Sequence, residues 1–147
     1  MTLVEVLVVL ALIGVMSGVA ALSVGGGRND EMQRAVDLLS ARLALLSEET
    51  ILTGRPSAFR WNETGYDFMT LEDGDWGPLP RPGLDVRTDL PGGVRILTPP
   101  GDFILGGDAV PMEMAPLRLS LGRDDGDASG ATILIWDGMS ARPEGAG

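Results

Sequence analysis

The chain has 147 residues, the size of one compact domain, with 11 basic and 21 acidic side chains and a net charge of −10. Every basic residue is Arg, and there is no Lys, His or Cys, which excludes disulfides, thiolate metal sites, a thiol nucleophile and the usual imidazole base. An acidic body with scattered Arg repels a phosphate backbone, so no nucleic acid is expected as a partner.

The charge is unevenly distributed along the chain. Residues 1–27 hold 18 apolar side chains and one charge, Glu5. From Val6 onward, 22 residues run without a charge, led by VLVVLALIGVMSGVAAL. As a helix that run covers roughly 33 Å, close to the hydrocarbon thickness of a bilayer. A secretory signal peptide has a basic start and a shorter apolar core, and this run has neither. Residues 1–27 are therefore expected to form a membrane-inserted helix.

Glu5 is the exception within it. A carboxylate there costs about 2–3 kcal/mol near a bilayer centre and less toward the headgroups. Composition leaves two readings open. Glu5 sits in the first turn, where the helix dipole and headgroup water accept it, or it meets a positive partner such as the N-terminal amine of a neighbouring copy. Gly25, Gly26 and Gly27 then follow in a row. Each glycine costs about 1 kcal/mol against Ala in a helix, so a hinge or locally melted stretch is expected there.

Residues 28–53 contain neither Gly nor Pro, whereas residues 54–147 hold 16 Gly and all 10 Pro. The first stretch is the one long helix candidate of the body, expected over about 29–53. Asp30 with Gln33 offers an N-cap pair, and Gly54 with Pro56 supplies the stop. Met32, Val36, Leu39, Leu43 and Leu46 recur every three to four residues, with Ala35, Leu38, Leu45 and Leu52 widening the stripe. Such a stripe reads as one buried face of an amphipathic helix.

Residues 56–137 read as β-rich. Phe59 and Trp61 alternate with their neighbours, as do Tyr66 and Phe68, across an Asn62-Glu63-Thr64-Gly65 turn, which predicts a hairpin. Leu84-Asp85-Val86 and Gly93-Val94-Arg95-Ile96-Leu97 read as further strands. Leu117-Arg118-Leu119-Ser120-Leu121 and Ala131-Thr132-Ile133-Leu134-Ile135-Trp136 form a stronger pair. Gly and Pro density predicts irregular loops at 75–82 and 98–101 and an irregular tail after 137. The whole is α+β: a long helix whose C-terminal half carries antiparallel strands, with residues 28–147 as one domain. Trp61, Trp76 and Trp136 are expected in the core, since the domain has only seven aromatic residues.

Two acidic clusters have the residue types of a metal site. Asp124, Asp125 and Asp127 fall on one loop, and Glu72, Asp73 and Asp75 on another. Calcium takes several carboxylate oxygens on a bent loop, which makes the first a weak calcium candidate. Its spacing is not that of an EF-hand, and a solvated hairpin tip is the reading adopted. No cofactor is expected. No nucleophile-base signature, P-loop or Rossmann glycine pattern occurs, so an enzyme is not expected either.

The N-terminal residues Met1-Thr2-Leu3-Val4-Glu5-Val6-Leu7-Val8-Val9-Leu10 resemble the mature N-terminus of type IV pilins and type II secretion pseudopilins. Glu48-Glu49-Thr50-Ile51-Leu52-Thr53-Gly54-Arg55-Pro56 looks like the helix end of GspH-type minor pseudopilins. Tyr66-Asp67-Phe68, Trp76-Gly77-Pro78-Leu79 and the stretch from Leu119 to Ile133 are similar to body segments of that GspH/FimT family. The resemblance implies a pilin-like fold and a structural role. Prepilin peptidase would release Met1 as the new N-terminus and methylate it, and Glu5 would pair with a neighbour's N-terminus during assembly.

It implies, further, a minor pseudopilin near the tip of a type II secretion pseudopilus, supporting protein export across the outer membrane. Its partners would be other minor pseudopilins, the major pseudopilin and an inner-membrane assembly platform. The helix would sit in the bacterial inner membrane as a single pass, with the C-terminal domain in the periplasm. Two alternatives stand beside this reading: a FimT-like minor pilin of a type IV pilus or competence system, and a bitopic membrane protein with a periplasmic binding domain that never polymerises.

Overall fold

Helix α1 runs over Leu3–Thr53. A computed structural model of the chain describes residues 2–125 and 128–145, except for the side chains of 16–26, 28, 29 and 128. The chain divides into two units, Met1–Gln33 and Arg34–Gly147. The three consecutive glycines lie inside α1 rather than between two helices, and Asp30, also inside it, caps no helix start. The physical reason is cooperativity: with no Pro to remove an N–H, long runs of helix formers on both sides carry the nucleation cost. Three glycines then weaken the helix locally without interrupting its ladder.

The predicted stop is where the structure ends the helix. Gly54 takes φ +64°, the left-handed conformation that a residue without Cβ adopts without strain. Its N–H donates to the Thr50 carbonyl at 2.9 Å, satisfying one of the four orphan carbonyls of the last turn.

In the second unit, nine strands follow among the described residues: β1 (Ser57–Trp61), β2 (Gly65–Glu72), β3 (Asp75–Pro78), β4 (Thr88–Asp89), β5 (Val94–Ile96), β6 (Gly101–Leu105), β7 (Leu117–Arg123), β8 (Thr132–Trp136) and β9 (Ala141–Pro143). They form two antiparallel sheets. The first has the order β3-β2-β1-β6, with β4 also pairing β2; the second has the order β5-β7-β8-β9. The expected hairpin is present, with Phe59 opposite Phe68 and Trp61 opposite Tyr66. The expected pairing of the two C-terminal apolar strands is present too, with Leu119 opposite Leu134.

Core residues come from all three layers. Leu39, Leu43 and Leu46 of α1 are fully buried, as are Phe59, Leu105, Leu119, Leu121, Leu134 and Trp136. Phe59 makes ring contacts with Trp61, Tyr66, Phe68 and Trp136, and so bridges the two sheets. Two hydroxyls tie the helix to its surroundings. Ser47 Oγ donates to the Gly138 carbonyl at 2.5 Å. Thr50 Oγ1 lies 2.5 Å from Ser57 Oγ while also bonding the Leu46 carbonyl at 2.7 Å. A hydroxyl has one proton, so with Thr50 donating to Leu46, Ser57 is the donor to Thr50.

Several expectations differ from the structure. Residues 84–86 form no strand: the Leu84 N–H donates to the Arg81 carbonyl around Pro82 and Gly83, which turns the chain, and the strand comes later at β4. Residues 75–78, expected as loop, are β3, and Gly101, expected at the end of a loop, opens β6. The tail is not wholly irregular, because β9 pairs β8 through Trp136 and Ala141. Both β3 and β9 are edge strands carrying a Pro, the position in a sheet where a missing N–H leaves no ladder bond unmade. Trp61 and Trp136 are in the core, but Trp76 on edge strand β3 is 41% exposed. Leu38 and Leu52 do not widen the buried stripe of α1; both point outward.

Candidate functional site

The helix start is built by two residues. The Glu5 N–H donates to the Thr2 carbonyl at 3.1 Å and to Thr2 Oγ1 at 3.3 Å. Thr2 is therefore the N-cap of α1, and Glu5 stands three residues on, in the first turn, where the positive end of the helix dipole favours its carboxylate. Thr-x-x-Glu is the spacing of a capping box, a signal legible in sequence, yet the sequence reading does not single out Thr2.

Beyond the cap, Leu3, Val4, Val6, Leu7, Val8, Val9, Leu10, Leu12, Ile13 and Val15 are all exposed. They surround the helix rather than forming one stripe. A helix that is apolar on every side is stable only where something apolar surrounds it, a protein core or a membrane. Glu5 shares a shallow depression with Val6, Val9 and Leu10, so the one charge of this segment stands at an apolar surface. Among the described residues no helix is long and apolar enough to cross a membrane. The uncharged sequence continues through 16–26, whose side chains lie outside the description.

The remaining predicted site residues distribute as follows. Met1 and Asp127 lie outside the described residues. Gly25, Gly26 and Gly27 are in α1. Asp124 is engaged by Arg95, whose Nη2 lies 3.4 Å from its Oδ2. Among the described residues no group of three or more acidic side chains is placed to hold a metal ion.

Among the described residues, three titratable groups of the second unit are displaced from their ordinary values. The Asp137 carboxylate is held below the usual range by backbone N–H bonds from Ser140 and Met139, the donors of the turn between β8 and β9. Burial pushes the Tyr66 phenol up, against the lowering influence of Arg42, whose guanidinium lies over the ring and also bonds Thr88. The Asp67 hydrogen bond raises Arg60; these two are cross-strand neighbours on the exposed face of the first sheet, joined by two N–H bonds at 2.9 and 2.6 Å.

No family model matches the chain, and no curated protein matches it in sequence. Two solved structures are similar in fold. One is the minor pseudopilin EpsH from the Type 2 Secretion System of Vibrio cholerae, with a TM-score of 0.62 and 20% identity, covering 77% of this chain and 95% of that one. The fold is pilin-like. The other is the type IV minor pilin FimU of Pseudomonas aeruginosa, with a TM-score of 0.61 and 14% identity, covering 80% of this chain and 90% of that one. Both share this pilin-like arrangement, an N-terminal helix packed against antiparallel sheets, the architecture expected from the sequence.

Proposed function

We propose that this chain is a structural assembly subunit, a minor pseudopilin of a type II secretion system that works near the pseudopilus tip. The single observation that carries the reading is the apolar cylinder of α1 from Leu3 to Val15, exposed on every side behind a capped start with Glu5 in its first turn. The pilin-like fold, similar to that of a minor pseudopilin, supports it.

In this reading the cylinder rests in the bacterial inner membrane, the domain faces the periplasm, and extraction exchanges lipid contacts for helix contacts in a filament core. Prepilin peptidase exposes Met1 and methylates it. Glu5 guides docking, because pairing with a neighbour's N-terminal amine removes the penalty of an isolated carboxylate among apolar side chains. The partners are other minor pseudopilins, the major pseudopilin and the assembly platform. The role is structural rather than catalytic.

Glu5→Leu and Glu5→Gln in the full chain test this. Both should leave membrane insertion intact and abolish co-purification with other pseudopilins, together with secretion. Normal assembly and secretion by Glu5→Leu would overturn the reading in favour of a bitopic protein that does not polymerise. The likeness to FimU supports a second reading, a minor pilin of a type IV pilus. Loss of piliation with intact secretion in a deletion strain would select it.

A further inference from the structure

Outside α1, four of the seven large apolar side chains exposed among the described residues lie on two touching segments. Val110, Met112 and Met114 belong to the loop at 106–116, and Met139 to the turn at 137–140. Met114 is 93% exposed. The segments meet closely: a Cβ on Gly138 would fall 2.4 Å from the Ala109 carbonyl oxygen and 3.1 Å from Pro111 Cδ. Together they line one groove, formed by Val110, Pro111, Met114, Ala115, Pro116 and Asp137.

This apolar surface is rigidly presented. The Gly106 N–H donates to the Val110 carbonyl, Ala109 to Gly106, Met112 to Ile104 and Met114 to Pro111, at 2.9 to 3.1 Å. Buried Ala109 and exposed Met114 are both held at positive φ, +60° and +55°, a conformation that non-glycine residues adopt only under constraint. Met139 is fixed through its own N–H, which donates to Asp137 Oδ1 at 2.9 Å. A loop ordered in this way holds its methionines in water. Polarizable, unbranched Met side chains suit a contact surface.

Charge specifies what fits. The loop and turn carry Asp108, Glu113 and Asp137, and no basic residue occurs between Arg95 and Arg118 or within the turn. A second copy of this chain would set like charges against each other across such a patch, and at least six of its 11 arginines are already in ion pairs of their own. We propose that the 106–116 loop and the 137–140 turn form a docking surface for a different protein, one whose contact face is apolar and edged with Arg or Lys. The surface is independent of the assembly role of α1 and would exist in a domain that never polymerised.

The test is photo-crosslinking of the full chain in the cells that make it. Met114→benzoylphenylalanine carries the probe, Met112→benzoylphenylalanine repeats it should the first variant fold poorly, and Val86→benzoylphenylalanine is the exposed apolar control. The expected result is an adduct from 114 or 112, absent from 86, to one other protein at a peptide with Arg or Lys beside apolar residues. Glu113→Lys should lower its yield at least about five-fold, as reversal of a rim charge does, whereas Glu63→Lys leaves it unchanged. An adduct to a second copy of this chain, a yield no greater than at Val86, or indifference to Glu113→Lys would each overturn the proposal.

Discussion

The Trp136 ring stands edge-on to Phe59, with centroids 6.3 Å apart and planes 85° apart, and this contact joins the second sheet to the first. Trp136 also lies 5.4 Å from the Phe103 ring, so three strands converge on one indole. Its Nε1 is buried and has no hydrogen-bond partner among the described residues. Two opposed effects therefore meet at one side chain.

Trp136→Ala should destabilise the domain by about 3–5 kcal/mol, the usual cost of emptying a large aromatic site. Trp136→Phe should cost far less, about 1 kcal/mol or under, because losing part of the ring is offset by removing an unpaired buried N–H that itself costs about 1–3 kcal/mol. Urea denaturation of the two variants checks this. Equal losses in both would mean that the indole N–H is satisfied after all.

The hydroxyl pair at the end of α1 makes a second prediction. Thr50→Val keeps the shape of the side chain but leaves the Ser57 donor without its acceptor in a buried place, which should cost about 1–3 kcal/mol. Adding Ser57→Ala to that variant should restore part of the loss. The measurement is a double-mutant cycle by thermal or urea unfolding, and strict additivity would contradict the assigned pair.

Two groups of the second unit couple its stability to pH. The Asp137 pKa is lowered in the folded state, so the stability it contributes is present above its unfolded value of about 3.8 and is lost as pH falls from there through the folded pKa. The Tyr66 pKa is raised, so its contribution is complete below the unfolded value of about 10.0 and is lost as pH rises through the folded pKa. Asp137→Asn should flatten the acid limb of a stability profile, and Tyr66→Phe the alkaline limb. Unchanged limbs in these variants would contradict the two assignments.

The three glycines inside α1 should exchange their amide hydrogens much faster than Leu39, Leu43 and Leu46, which lie in the buried helical half. Replacing all three with Ala should slow that exchange, since each Gly→Ala change favours the helix by about 1 kcal/mol. Hydrogen-exchange mass spectrometry or NMR on the full chain reads this. Protection at residues 25–27 equal to that at 39–46 would remove the idea of a weak point there.

Much of the fold is legible from local pattern. The apolar run of residues 6–27, the stripe from Met32 to Leu46, the Gly54 stop and the aromatic hairpin each follow from the spacing of residues near in sequence. Strands β3, β6 and β9 do not, because β3 and β9 are short and end in Pro, β6 starts at Gly101 directly after Pro99 and Pro100, and each is stabilised by a partner strand that local pattern does not name. The 84–86 stretch fails for the opposite reason: its Leu-x-Val alternation suggests a strand, but the turn at Pro82 and Gly83 decides, and Leu84 is buried from within a turn. Leu38 and Leu52 share the spacing of core residues, yet they face outward, since a stripe wider than the sheets can cover leaves its margins in water.

The sequence by itself determined that one end of this chain is apolar on all sides with a single acidic residue in its first turn, and that the rest is an acidic α+β domain without Cys or His. Those are matters of composition and helical geometry, which need no knowledge of distant partners. Only the tertiary structure decided which of the tryptophans are core, and that the loop at 106–116 and the turn at 137–140 come together as one exposed methionine surface. The physical reason is that burial and proximity between residues far apart in the chain are properties of packing, and no local pattern encodes which surface the packing will leave uncovered.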